Sequence, residues 1–244
     1  MSFIIVAIGV FIAFTVEAMT GFGSIVIALS IGALVMDITQ LMQWLVPLNI
    51  MMTGPLVYRH RQHIDYDLLF KQILPLMGLG TLVGVLVTDY IPADYSKALF
   101  ALIICWFAIR SLAQLHAPAH GHLARRGLIF SAGITHGLFA SGGPLLVYAC
   151  ARTPMTKERF RATLLSVWFT LNTSLCVWFL LFEDLASQVK SIMWLIPCVI
   201  AGALIGNALH NKVSQTSFSR IVFTLLLLVG VLLLVKTCSQ VLPL

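Results

Sequence analysis

The chain has 244 residues, of which 59% are hydrophobic and only 10% charged, and its formal net charge is +6. Soluble domains carry roughly 25% charged residues, so a soluble enzyme or a nucleic-acid-binding domain is excluded and an integral membrane protein is expected. The positive balance fits basic cytoplasmic loops on an inner-membrane protein.

The first apolar element covers 2–36 and is interrupted by "TGFGS" at 20–24. Glu17, the one acidic residue expected inside a span, lies a turn before the break. Three uninterrupted elements follow at 39–58, 68–89 and 95–113, then a polar loop around His116–Arg126. The next element, 127–152, is again interrupted, by "ASGGP" at 140–144, with His136 just before it. Elements at 162–182, 190–210 and 218–236 complete the chain. The windows 38–58, 162–182 and 191–211 hold no Asp, Glu, Lys or Arg. Their length matches the ~20 residues a helix needs to cross the hydrocarbon core. No loop is long enough for a soluble domain. No Lys or Arg precedes Arg59, so no cleavable signal peptide is expected.

The two series repeat one another. "PLMGLGTLVG" at 75–84 matches "PCVIAGALIG" at 197–206, so Pro75, Gly80 and Gly84 map onto Pro197, Gly202 and Gly206. Asn49 maps onto Asn172, and 20–24 onto 140–144. Three anchors in one order with nearly constant spacing predict two four-element repeats, 1–113 and 127–244, joined by a cytoplasmic linker at 114–126. Each begins with a broken helix.

A break inside the bilayer is tolerated only where protein or a water-filled cavity satisfies the backbone. Gly21, Gly23, Gly142 and Gly143 allow unusual dihedrals, and Pro144 suits the first turn of a new helix. Charge chooses between a broken element that crosses the membrane and one that re-enters. If both re-enter, one side collects Arg59, Arg61, Lys71, Arg110, Arg125, Arg126, Arg152, Lys157, Arg159, Arg161, Lys212 and Arg220. Only Lys97, Lys190 and Lys236 fall on the other. If both cross, the basic residues divide almost evenly. Segment 127–140 has 14 helical positions, about 21 Å at ~1.5 Å per residue, which reaches in but not across. The expected fold is therefore an all-α polytopic membrane protein. Its two repeats have inverted topology, each begins with a re-entrant helix, and both termini lie outside.

Two half-helices starting at mid-membrane from opposite faces form a secondary-transporter arrangement. Their N-termini carry partial positive charge and free N–H groups, which suits an anion. The candidate substrate ligands are Thr20, Gly21, Gly23, Ser24, Asn49, Ser141, Gly142, Gly143 and Asn172. Intramembrane ionisable groups point to function, so Glu17 and His136 are the candidates for proton coupling. Cys105, Cys150, Cys176, Cys198 and Cys238 are scattered singly in apolar stretches without metal-ligand or disulfide spacing. No cofactor, metal or nucleic acid is implied, and a homodimer is compatible with the pattern.

The glycine-rich "TGFGS", its echo "SGGP" after mid-chain and the four-plus-four layout resemble the TauE/SafE family over nearly the whole chain. The resemblance implies a non-enzymatic transporter of a small sulfur-containing or carboxylate anion, such as sulfite, a sulfonate or sulfoacetate, across the cytoplasmic membrane. The second motif has Ser141 where a fuller glycine run would stand. A passive anion channel, separable by counterflow, and a thiosulfate-uptake protein using Cys150 are the alternatives. An intramembrane protease is disfavoured. Phe139 stands where a GxSG pattern needs Gly, and His136 is only five residues from Ser141, whereas catalytic partners would sit on separate helices.

Overall fold

A computed structural model describes residues 2–113, 121–150, 153, 155–209 and 215–241. Among these residues the regular structure is all helical. The first half comprises α1 (Ser2–Thr20), α2 (Ser24–Gly32), α3 (Ile38–His60), α4 (Tyr66–Thr88) and α5 (Ala93–Leu112). The second comprises α6 (His122–Phe139), α7 (Gly143–Cys150), α8 (Lys157–Phe182), α9 (Leu185–Leu209) and α10 (Gln215–Val241). By length and composition α1, α4, α5, α8 and α9 can each cross a membrane. Their outer faces carry exposed apolar side chains such as Leu79, Leu86, Leu102, Leu180, Trp194 and Leu204. Water would penalise such a belt and lipid does not. The protein is an all-α polytopic membrane protein.

Both predicted interruptions are present, and each ends one helix and starts another. At the first, Gly21 and Gly23 take φ of 87° and 106°, which only Gly adopts without penalty. At the second the left-handed residue is Ala140, with φ 49°. Gly142 and Gly143, expected to supply the unusual dihedrals there, have no positive φ. Gly142 is needed for space instead, because a Cβ on it would lie 2.1 Å from the Ala132 carbonyl oxygen. A π turn over Leu69–Ile73 precedes Pro75, whose missing N–H would otherwise interrupt the hydrogen-bond ladder.

Side-chain contacts set the direction of each helix. Gly9 lies against Ile31, and Glu17 meets Ser24, so α2 folds back along α1. Gly142 lies against Ala132, and Cys150 is beside Arg125, so α7 folds back along α6. Both broken elements are helical hairpins. Gly32 packs on Leu41 while Asn49 meets Ser24, which turns α3 back again, parallel to α1. Asn49 pairs with Asn172, and Gly54 packs on Phe169, so α8 runs against α3. Gly80 and Gly84 of α4 meet Gly133 and Gly137 of α6 in parallel. Gly202 and Gly206 of α9 meet Phe11 and Thr15 of α1, also in parallel. Phe107 of α5 meets Phe223 of α10, and Ile104 meets Gly230, so these two are antiparallel. Each half thus docks its third element on the other half's hairpin, and α6 runs opposite to α1.

The helices also extend past the uncharged windows. α6 begins at His122 rather than 127, and α8 at Lys157 rather than 162. With 18 residues, α6 is about 27 Å long at ~1.5 Å per residue, so its length alone does not stop it from crossing. The structural feature in keeping with re-entry is that α7 folds back along α6. Arg59, Arg61, Lys71, Arg110, Arg125, Arg126, Lys157, Arg159 and Arg161 share one end of the bundle. Lys97 and Lys236 mark the other end, where Lys97 pairs with Asp37 at 3.0 Å and Lys236 donates to the Leu34 carbonyl at 2.6 Å. Arg152, Lys212, the Arg220 and Cys238 side chains and linker residues 114–120 lie outside the described residues.

Candidate functional site

The two hairpin tips meet at one partly open cavity, whose free space on the order of 20 Å³ is about that of one water-sized group. From the first hairpin it is lined by Glu17, Gly23, Ile25 and Val26, and from the second by Ala140 to Pro144. Asn49 of α3 and Trp168 and Asn172 of α8 close the sides. Ile25, Val26 and Gly143 sit in the first turns of α2 and α7. N–H groups there have no acceptor within their own helix, and both helix dipoles present their positive ends. The site therefore offers donors and positive potential, which suits a small anion.

A polar chain runs along one wall. The Ser24 N–H donates to Glu17 Oε2 at 2.8 Å. The Asn49 amide nitrogen lies 3.0 and 3.1 Å from the two Glu17 oxygens and 2.9 Å from Ser24 Oγ. Asn172 Nδ2 in turn donates to Asn49 Oδ1 at 2.7 Å. Asn172 Oδ1 is buried and accepts no hydrogen bond from the described residues. All four side chains are at most 2% exposed. Glu17 thus holds the N-terminal turn of α2 as a built-in carboxylate. It sits deep in the protein.

The first break is held from α8. Trp168 Nε1 donates to the Gly21 carbonyl at 3.1 Å, and Arg161 donates a guanidinium N–H to the Ala18 carbonyl. That carbonyl is in the last turn of α1, where acceptors lack intrahelical donors. Trp168 also stacks on His136, with ring centroids 6.1 Å apart.

Of the residues singled out from sequence, Gly23, Asn49, Ser141, Gly142, Gly143, Asn172 and Glu17 line the cavity. Thr20, Gly21, Ser24 and His136 do not. The Thr20 hydroxyl turns to the carbonyls of Val16 and Phe22, 2.9 Å from each. Gly21 offers its carbonyl to Trp168, and Ser24 serves the Glu17–Asn49 chain. His136 is fully buried behind Trp168, with the Leu171 backbone beside its ring. Trp168 and Arg161 were missed. The signal was spacing: Arg161, Trp168 and Asn172 fall at i, i+7 and i+11 and so share a helix face.

Both glycine-rich motifs that carry the family resemblance lie at the hairpin breaks beside this cavity. The model of the sulfite exporter TauE/SafE family matches residues 5–233. The chain belongs to the TauE/SafE family. A probable sulfite/organosulfonate exporter TauE of Cupriavidus necator is 27% identical over 188 residues, covering 73% of this chain and 72% of that protein. No solved structure matches the chain. As a TauE/SafE member the protein is a membrane transporter and not an enzyme, and its substrate class is small anions.

Proposed function

We propose that this TauE/SafE member is a secondary transporter that exports sulfite or a small sulfonate or sulfoacetate-like anion across the cytoplasmic membrane by alternating access. The observation that carries the reading is the meeting of two helix N-termini, from oppositely running hairpins, at one cavity. The substrate sits between Gly23, Ile25 and Val26 on one side and Ser141, Gly142 and Gly143 on the other, with Asn49 and Asn172 alongside. Glu17 is the ionisable group within reach of that anion. The halves act as inverted repeats: α1–α2 enters from the outer face, α6–α7 from the cytoplasm, and both termini lie outside. The opposite directions of α1 and α6 and the crowding of basic residues at one end support this orientation. The Cupriavidus relative's description supports the sulfur-anion class.

The test is thermal stabilisation of the purified protein across sulfite, thiosulfate, methanesulfonate, sulfoacetate, acetate and chloride. Stabilisation confined to the sulfur anions is expected, and an equal response to chloride would overturn the substrate class. Counterflow in proteoliposomes is expected for a carrier. Flux that neither saturates nor exchanges would mean a channel.

A further inference from the structure

We infer that Asn49 and Asn172 form a two-amide relay through which the proton on Glu17 sets whether the cavity offers an anion an acceptor or a donor. The proton is then a co-substrate of anion binding. This rests on the anion-site reading above.

The argument starts from what an ionised carboxylate permits. It only accepts hydrogen bonds. Asn49 must therefore turn its NH₂ toward Glu17, as it does at 3.0 and 3.1 Å. Its Oδ1 then faces Asn172 and demands a donor, which Asn172 Nδ2 supplies at 2.7 Å. Asn172 Oδ1, on a residue that lines the cavity, is then left buried and without a partner among the described residues. A buried acceptor without a donor is costly, and it repels an anion. With Glu17 ionised, this wall carries an unpartnered acceptor and a negative charge, and its one spare side-chain donor is the second hydrogen of Asn172 Nδ2.

One proton reverses the chain. A protonated Glu17 donates its O–H from Oε1, while Oε2 still accepts the Ser24 N–H. The Asn49 amide turns over, so its Oδ1 accepts from Glu17 and from the Ser24 hydroxyl, which lies 2.9 Å from that position. Asn49 Nδ2 then donates to Asn172 Oδ1, and Asn172 turns its Nδ2 into the cavity as a donor for the anion. The terminal amide torsion is broad and roughly two-fold, so oxygen and nitrogen exchange places without moving the backbone. One proton goes from water to Glu17, no covalent heavy-atom bond changes, and the wall gains a donor while losing a negative charge.

The surrounding charges leave Glu17 as the switch. Against α1, α2 brings no ionisable side chain, and α9 brings Lys190 at its far end and the Cys198 thiol. On α3, Tyr58, Arg59 and His60 are at the far end. Arg161 of α8 is a fixed charge held on the Ala18 carbonyl, and His136 of α6 is shut behind Trp168.

The experiment measures anion affinity from pH 5.5 to 8.5, and proton uptake in weak buffer, for the purified full-length protein. Methanesulfonate and sulfite are the probes. Methanesulfonate keeps its charge across this range; sulfite does not, so its own protonation is removed by subtracting the Glu17→Gln value. Wild type should take up about one proton per anion, and its affinity should fall roughly tenfold per pH unit once Glu17 ionises. Glu17→Gln, whose amide can serve as the donor, should bind with no linked proton and a flat profile. Asn172→Ala should bind several-fold more weakly and lose most of the pH slope. Anion binding without proton uptake by wild type overturns the relay, whether or not the variants fold. Full proton uptake in Asn172→Ala overturns it as well, since Glu17 would then act on the anion directly. If neither probe binds at any pH, the anion-site reading falls and takes the relay with it.

Discussion

Ala140, at φ 49°, occupies a region where a Cβ crowds the following carbonyl at roughly 1–2 kcal/mol. Ala140→Gly should relieve that and stabilise the fold by up to about 1 kcal/mol net, read as a higher melting temperature, because Gly also loses more chain entropy on folding. A lower melting temperature would show that the Ala140 methyl contributes more by packing than its dihedral costs. At the first break the test runs the other way. Gly21→Ala and Gly23→Ala meet the same backbone penalty. A Cβ on Gly21 also falls 2.6 Å from Arg161 Cγ, whereas at Gly23 the nearest atom is 3.7 Å away. Gly21→Ala should therefore destabilise more, and equal losses in a thermal melt would mean that Arg161 yields freely. The same scale explains which site residues could be read from sequence. Glu17, Asn49 and Asn172 were visible because a polar group in an apolar run needs a partner, and the repeat paired the two Asn residues. Thr20 lies off the cavity because its hydroxyl satisfies itself on nearby carbonyls, and composition does not reveal that choice.

The glycines of α4 and α9 act as element faces. Gly80 and Gly84 let α4 touch the backbone of α6, and Gly202 and Gly206 do the same for α9 on α1. Small residues allow this close approach, which matters in lipid because packing replaces the hydrophobic drive between helices. It also explains why the clearest repeat lay in "PLMGLGTLVG" and "PCVIAGALIG": both segments dock on the opposite hairpin. A Cβ on Gly80 would lie 2.2 Å from the Phe130 carbonyl oxygen, while one on Gly78, two residues away, meets nothing within 4 Å. Gly80→Val should broaden the size-exclusion peak and lower the melting temperature severely, and Gly78→Val should leave both near wild type. Similar behaviour of the two would refute this packing face. Helix number and order were legible from the hydrophobic runs, but the ends were not. Uncharged windows measure the hydrocarbon, whereas α6 and α8 continue through His122–Arg126 and Lys157–Arg161 into the zone where charge is solvated.

For the whole molecule, the remaining question is which end faces the cytoplasm. The basic end carries Arg59, Arg61, Arg125, Arg126, Lys157 and Arg159, and among the described residues Arg159 of this set forms an ion pair, with Asp65 at 3.3 Å. At the other end Lys97 is paired with Asp37, Lys236 caps a carbonyl, and Gln43 donates to Glu183. Asp89, Asp94, Glu183 and Asp184 make that end acidic. A Lys or Arg excess in short loops is retained in the cytoplasm, so the basic end should face inward and the α3–α4 and α7–α8 turns with it. In a cysteine-free background, Gln62→Cys should react with an impermeant maleimide only in inside-out vesicles. Tyr90→Cys, at a position 85% exposed on the opposite turn, should react only from outside. Ser141→Cys, at the cavity, should react more slowly than either, and sulfite should protect it if the anion sits against α7. Outside labelling at position 62 would reverse the orientation while leaving the fold intact. Labelling of 62 and 90 from the same side would require an even number of crossings between them, and since only α4 lies between, it would remove α4 from the membrane and with it the inverted arrangement.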